Sequence, residues 1–132
     1  MPPGVLLVPL IGHTLGHAGV AIEGPDRWLL LAGDAYFYHR EMDAASPKCP
    51  PGPRFYQTMM EKSRRARMWN QDRLRALCRE APDDVAVCCS HDAVEFERFS
   101  GRKLGESAEP LPAEVPPPEG SERGPRPVQE RH

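Results

Sequence analysis

Three short stretches of this chain carry side chains able to hold a metal or move a proton. They are Gly12-His13-Thr14-Leu15-Gly16-His17, Gly33-Asp34-Ala35 and Ser90-His91-Asp92. Imidazole and carboxylate are the ligands that a zinc-like divalent ion takes. In the first stretch two glycines let the backbone turn tightly and bring both imidazoles near one point. Each motif has an ordinary reading when taken alone. A loop histidine is commonly a solvated side chain, Gly-Asp after a strand is a common turn, and Asp92 suits a helix N-cap. Their co-occurrence carries the weight, because each follows directly on an apolar run.

Those runs are the elements that must position the ligands. Val5-Leu6-Leu7-Val8-Pro9-Leu10 leads to His13, Trp28-Leu29-Leu30-Leu31-Ala32 to Asp34, and Val85-Ala86-Val87-Cys88-Cys89 to His91. Runs of this length and content read as buried strands. Strands are therefore expected at residues 4–10, 27–33 and 85–89. A further strand at 18–23 pairs with 27–33 through the turn signal Gly24-Pro25-Asp26. Residues 46–53 hold Pro47, Pro50, Pro51 and Pro53 and exclude a helix interior. Over residues 55–80, Met59, Met60, Ala66, Leu74, Leu77 and Cys78 fall on one side at helical spacing, with Trp69 at its margin. One long helix is expected there, ended by Ala81-Pro82-Asp83. A short helix is expected over 93–99, with Asp92 capping it in preference to orienting His91.

Composition narrows the functional classes. The chain has 132 residues and a formal charge of −2, which suits one modest domain and implies no whole-chain electrostatic partner. No apolar run approaches the roughly 20 residues of a membrane span. The start, Met1-Pro2-Pro3-Gly4, lacks the positive region of a signal peptide. Cys49, Cys78, Cys88 and Cys89 form no CxxC pair, and reduced thiols in a cytoplasmic protein are the expected state. Residues 105–132 contain seven prolines, six glutamates and no aromatic residue. Such a segment cannot bury enough apolar surface to offset its ordering entropy and reads as a disordered tail. The folded domain is expected to be residues 1–104.

The order of the motifs resembles the C-terminal half of metallo-β-lactamase-fold hydrolases, nearest in style to the glyoxalase II and lactonase-like members. GHTLGH is followed by a strand pair, then GDA, a helix, and an apolar strand ending in SHD. The match covers residues 4 to about 99. The resemblance implies an α/β (α+β) fold: half of an αββα sandwich, mainly antiparallel, with a long helix. It also implies a dinuclear site, usually of two zinc ions, though other divalent metals are compatible. By position His13 would bind one metal, Asp34 would bridge both, and His91 would bind the other. His17 would stand behind the ligands and orient them. Tyr36, and by the same logic Tyr38, would hydrogen-bond the reacting oxygen, unless these rings pack the core. Metals about 3.5–4 Å apart would share a hydroxide that attacks an ester, thioester or lactone substrate.

The family's HxHxDH motif is missing from this sequence. The only other histidines are His39 and His132, both expected to lie apart from the site. A catalytic zinc typically keeps three protein ligands, so this ligand set is half of one. The sequence therefore reads as a truncated gene product, a mis-called start or one part of a split protein, inactive unless a complementing chain or a homodimer completes it. The alternative is a non-catalytic module that uses its basic helix, residues 54–80, on nucleic acid or a protein. Seven Lys or Arg lie from Lys62 to Arg79, but interspersed acidic residues favour a solvated, ion-paired face over a nucleic-acid footprint.

Overall fold

The computed structural model describes residues 4–103. The expected tail at 105–132, with His132, lies outside them. The chain is a mixed α/β fold with strands β1 (Val5–Pro9), β2 (Ala18–Glu23), β3 (Trp28–Leu31) and β4 (Val85–Cys88). Its helices are α1 (Pro51–Met60), α2 (Arg64–Glu80) and α3 (Ala93–Ser100), with a 3-10 turn at His39–Met42. The strands form one sheet in the order β1-β2-β3-β4. β1 and β3 both run antiparallel to β2, and β4 runs parallel to β3. β1, β3 and β4 therefore point the same way, and all three deliver their C-terminal ends to one edge of the sheet.

Side chains alternate across a pleated strand. The register puts Val8, Ala21, Leu30 and Val87 on one face. That face joins Leu74 of α2 and the loop residues Leu10, Ala32, Ala35, Tyr36 and Met42 in the core, with Leu77 and Cys78 packed against it.

The single helix expected over residues 55–80 is in fact two. Glu61, Lys62 and Ser63 break it. Ser63 Oγ accepts from Ala66 N–H at 3.3 Å and caps α2, satisfying one of the otherwise orphan donors of a helix start. Lys62 N–H and Ser63 N–H both donate to Gly12 O, at 2.9 and 3.0 Å. The break is thus tied to the histidine loop. The helix also starts earlier than expected. Pro50 caps α1 and Pro51 is its first residue, where a missing N–H costs no hydrogen bond. Once the helix is broken, the expected apolar stripe loses its phase. Met59, Met60 and Trp69 are exposed, while Gln57, Asn70 and Gln71 are buried.

Those buried amides pin the segment after Asp34. Glu41 accepts from Phe37 N–H, Tyr38 N–H and Gln57 Nε2 at 2.8–3.0 Å. Gln71 Nε2 donates to Ala35 O at 2.9 Å and to Gln57 Oε1 at 3.1 Å. Asn70 Nδ2 donates to Ile11 O at 2.7 Å. A fully partnered buried network of this kind rigidifies what it holds. Here it holds the two loops that carry His13 and Asp34.

The candidate metal centre

His13, Asp34 and His91 meet at the edge where the three strands end. His91 Nε2 lies 2.8 Å from Asp34 Oδ1, and His13 Nε2 lies 3.4 Å from Asp34 Oδ2. The two imidazoles thus address different oxygens of one carboxylate. The backbone that brings them together continues the sheet. Ala32 N–H donates to Cys88 O and Ser90 N–H to Gly33 O, so the β3–β4 pairing runs on to the residues beside Asp34 and His91. Leu10 N–H donates to His17 O and closes the base of the histidine loop in the same way.

Two glycines are required by this geometry. Gly12 has φ +151°, and a Cβ there would come within 2.5 Å of the Arg67 Cα. Gly33 has φ +57°, and a Cβ would lie 2.8 Å from His17 Nε2. Replacing Gly12 with alanine combines an unfavourable φ with a clash against helix backbone. It should cost on the order of 2–4 kcal/mol, readable as a lower urea midpoint with unchanged slope.

His17 stands behind Asp34. Its Nε2 accepts from Asp34 N–H at 3.1 Å, and its Nδ1 lies 2.8 Å from Leu10 O. A backbone N–H can only donate and a carbonyl can only accept. Both bonds therefore require the neutral tautomer with its proton on Nδ1. The ring links the histidine loop to the Asp34 backbone and takes no part in the pair of contacts on the Asp34 carboxylate.

Phe37 was not singled out by the sequence pattern. Buried, it lies with its ring centroid 4.2 Å from that of His91 and 6.0 Å from that of His13. The ring sits against both imidazoles and limits their rotation. Its only sequence signal is its place three residues after Asp34.

Tyr36 is not brought to the cluster. It is fully buried and donates its hydroxyl to Glu95, at 2.8 and 3.0 Å from the two carboxylate oxygens. Burial, with Glu95 beside it, pushes the phenol far above its ordinary value. Of the two readings open in the sequence for this ring, the structure takes core packing: the Tyr36 hydroxyl is committed to Glu95 and does not face the cluster at Asp34. Asp92 caps α3 by accepting from Glu95 N–H at 2.9 Å, the reading favoured from the sequence. Its other oxygen takes the His39 backbone N–H at 2.6 Å and lies 2.8 Å from His39 Nδ1. Asp92 therefore orients His39, not His91. Burial pushes the Asp92 carboxyl up, but the donors of Glu95 and His39 outweigh it and hold it below the ordinary value.

Glu95 also accepts from Cys89 N–H at 2.8 Å, which ties α3 to the end of β4. Burial raises its carboxyl above the ordinary value of 4.5. The folded state then binds a proton more readily than the unfolded state. Stability from this group is complete below about 4.5 and is lost as pH rises through the raised folded value. A Glu95→Gln substitution keeps the shape, and its amide can accept from Cys89 and donate to the Tyr36 oxygen. Relative to the parent, its urea midpoint should improve steadily as pH is raised from 4.5.

The donor types at Asp34 fit a divalent ion, but their number does not complete a site. Among the described residues no group of three or more His, Cys, Asp or Glu side chains is arranged to hold a metal. Each imidazole shares only Asp34 with the place where an ion would sit, giving two donors per ion. The four cysteines are free and supply no further ligand there.

No family model matches the chain. Over 89 residues it is 39% identical to a protein of Mycobacterium bovis named probable metallo-hydrolase. The same identity over the same length holds for a probable metallo-hydrolase of Mycobacterium tuberculosis. The matched stretch is 67% of this chain, and it spans about 28% of the length of each of these curated relatives. The similarity supports a relationship to metallohydrolases.

Proposed function

We propose that this chain carries the second half of the metal-binding set of a dinuclear hydrolase of the metallo-β-lactamase fold, acting on an ester, thioester or lactone. The observation that carries the reading is the approach of His13 and His91, from two different strand ends, to opposite oxygens of Asp34. A bridging carboxylate flanked by one imidazole on each side is the donor arrangement such a centre uses. The relatives' name supports metal-dependent hydrolysis in general.

In this reading His13 and His91 would each help to hold an ion, with the Asp34 carboxylate shared between them. His17 fixes the Asp34 backbone, and Phe37 holds the imidazole planes. The chemistry gained there is water activation near neutral pH and polarisation of the substrate carbonyl. Zinc suits imidazole and carboxylate donors, and other divalent ions are compatible. The four free thiols support a reducing, cytoplasmic setting. Among the described residues no helix is long and apolar enough to cross a membrane.

The alternative, a module reading nucleic acid through its basic helix, finds less support. Arg64 and Arg67 both engage Glu61, Arg75 engages Asp72, Arg79 engages Glu80, and Arg73 lies over Trp69. Four of the seven cations from Lys62 to Arg79 are thus paired with carboxylates of the same segment.

Zinc titration followed by imidazole NMR tests the proposal. Weak binding should shift the His13 and His91 ring signals and vanish in the His13→Ala, His91→Ala double variant. A His39→Ala variant should bind as the parent does. Zinc that shifts only cysteine signals, or that survives the double variant, would sink the reading.

A further inference from the structure

A cavity of about 440 Å³ lies between the 43–50 loop and helices α1 and α2. It is unusually rich in cations: Lys48, Arg54, Arg64, Arg67 and Arg75 all line it. Three carboxylates answer them. Glu61 pairs with both Arg64 and Arg67, and Asp72 pairs with Arg75. Glu41 lies in the wall, where backbone N–H groups and Gln57 occupy its oxygens. That leaves an excess of two positive charges. Among the described residues the side chains of Lys48 and Arg54 have no carboxylate partner. Burial and the neighbouring Glu41 push the Cys49 thiol up to about 11, so it lines the cavity as a neutral group and does not offset the excess. Arg40 and Lys48 line an adjoining depression that Arg54 shares, which extends the positive surface.

We propose that this cavity binds the dianionic phosphate group of a small phosphomonoester through Lys48 and Arg54. A guanidinium presents a planar fork of donors that matches phosphate oxygens, and an ammonium adds a point charge. The ligand's charge balances the two uncompensated cations. Arg64 and Arg67 need not leave Glu61, and Thr58 supplies a further polar group in the wall. The volume admits a small organic group beside the phosphate. A concave site of this size favours a small molecule over a nucleic-acid strand, whose exposed aromatic partners would be Phe55, Tyr56 and Trp69.

Inorganic phosphate and glucose 6-phosphate are the probes, titrated into the full chain at matched ionic strength and followed by amide NMR and calorimetry. Both should saturate, with shifts centred on Lys48, Arg54 and Thr58. Lys48→Ala with Arg54→Ala should weaken both by about tenfold or more. Lys48→Gln with Arg54→Gln should do the same, and its far-ultraviolet spectrum and melting point report whether the fold is kept. Arg65→Ala, on α2 but outside the cavity, should bind as the parent does. Unchanged affinity in both double variants, or shifts centred elsewhere, overturns the proposal. So does a uridine oligonucleotide that binds more tightly than glucose 6-phosphate and shifts Phe55, Tyr56 and Trp69. None of these readouts involves His13, Asp34 or His91, so the outcome is independent of the metal-site reading.

Discussion

The isolated chain should hydrolyse lactone and thioester substrates no faster than its His13→Ala, His91→Ala double variant. Mixed with a polypeptide carrying an HxHxDH half, it should gain turnover by at least about 10³-fold, a small part of the accelerations enzymes reach. Ligand count sets this expectation. Asp34 and a single imidazole give two donors per ion, whereas a catalytic zinc typically keeps three protein ligands and an open position. With too few donors the ion is neither tightly held nor fixed in geometry, and metal affinity of an unfinished site is low. The rest of the arrangement is already built. His17 holds the Asp34 backbone, Phe37 backs the rings, and Gln71 anchors Ala35. On the proposed reading a complement would need to add ligands, not to reorganise the residues described here. Zinc calorimetry and an esterase assay on the chain with and without the complement read both effects. Stoichiometric tight zinc and mutation-sensitive turnover from the chain alone would show that its own copies pool ligands.

The strand ends were legible in the sequence because each signal is local. An apolar run followed by a small residue and a ligand type marks where a strand leaves the core, and three such ends follow in order. The approach of His13 and His91 to Asp34 follows from the shared direction of β1, β3 and β4, of which the β2–β3 turn signal fixes only β3 against β2. The helix break was not legible. A single periodic stripe through Met59, Ala66 and Leu74 is geometrically sound, and only the bonds of Lys62 and Ser63 to Gly12 O show why the chain turns there. The buried amides and Glu41 were invisible for a related reason. Gln57, Asn70, Gln71 and Glu41 look like surface residues until their partners, mostly distant in sequence, are known. Tyr36 was ambiguous in the same way. Its position two residues after Asp34 suits a site, and only the buried Glu95, 59 residues away, settles its direction.

The outer face of the sheet carries the second large expectation. The register aligns Val5, Ile22, Leu29 and Ala86 in one row, and Leu7, Val20, Leu31 and Cys88 in the next, opposite the face that packs on α2. Val5 is 61% exposed, Leu7 75% and Leu31 39%. A contiguous apolar face on an edge strand and its neighbours is rarely left open in a soluble monomer. Covering such side chains is worth on the order of 1–2 kcal/mol each. Summed over two copies this is comparable to the roughly 4–15 kcal/mol that association costs. The chain should therefore self-associate through this face, and sedimentation should show dimers or larger species. Leu7→Lys with Leu31→Lys should give a monomer with an undiminished melting point, because neither side chain belongs to the core that α2 covers. A parent chain that sediments as a monomer would refute this. In the proposed αββα sandwich a complementing half would pack on this same face, so the two expectations are coupled. A complement that restores turnover should also abolish self-association, and the lysine pair should weaken complementation while leaving His13, Asp34 and His91 in place. Turnover restored with self-association untouched would mean that the complement docks elsewhere.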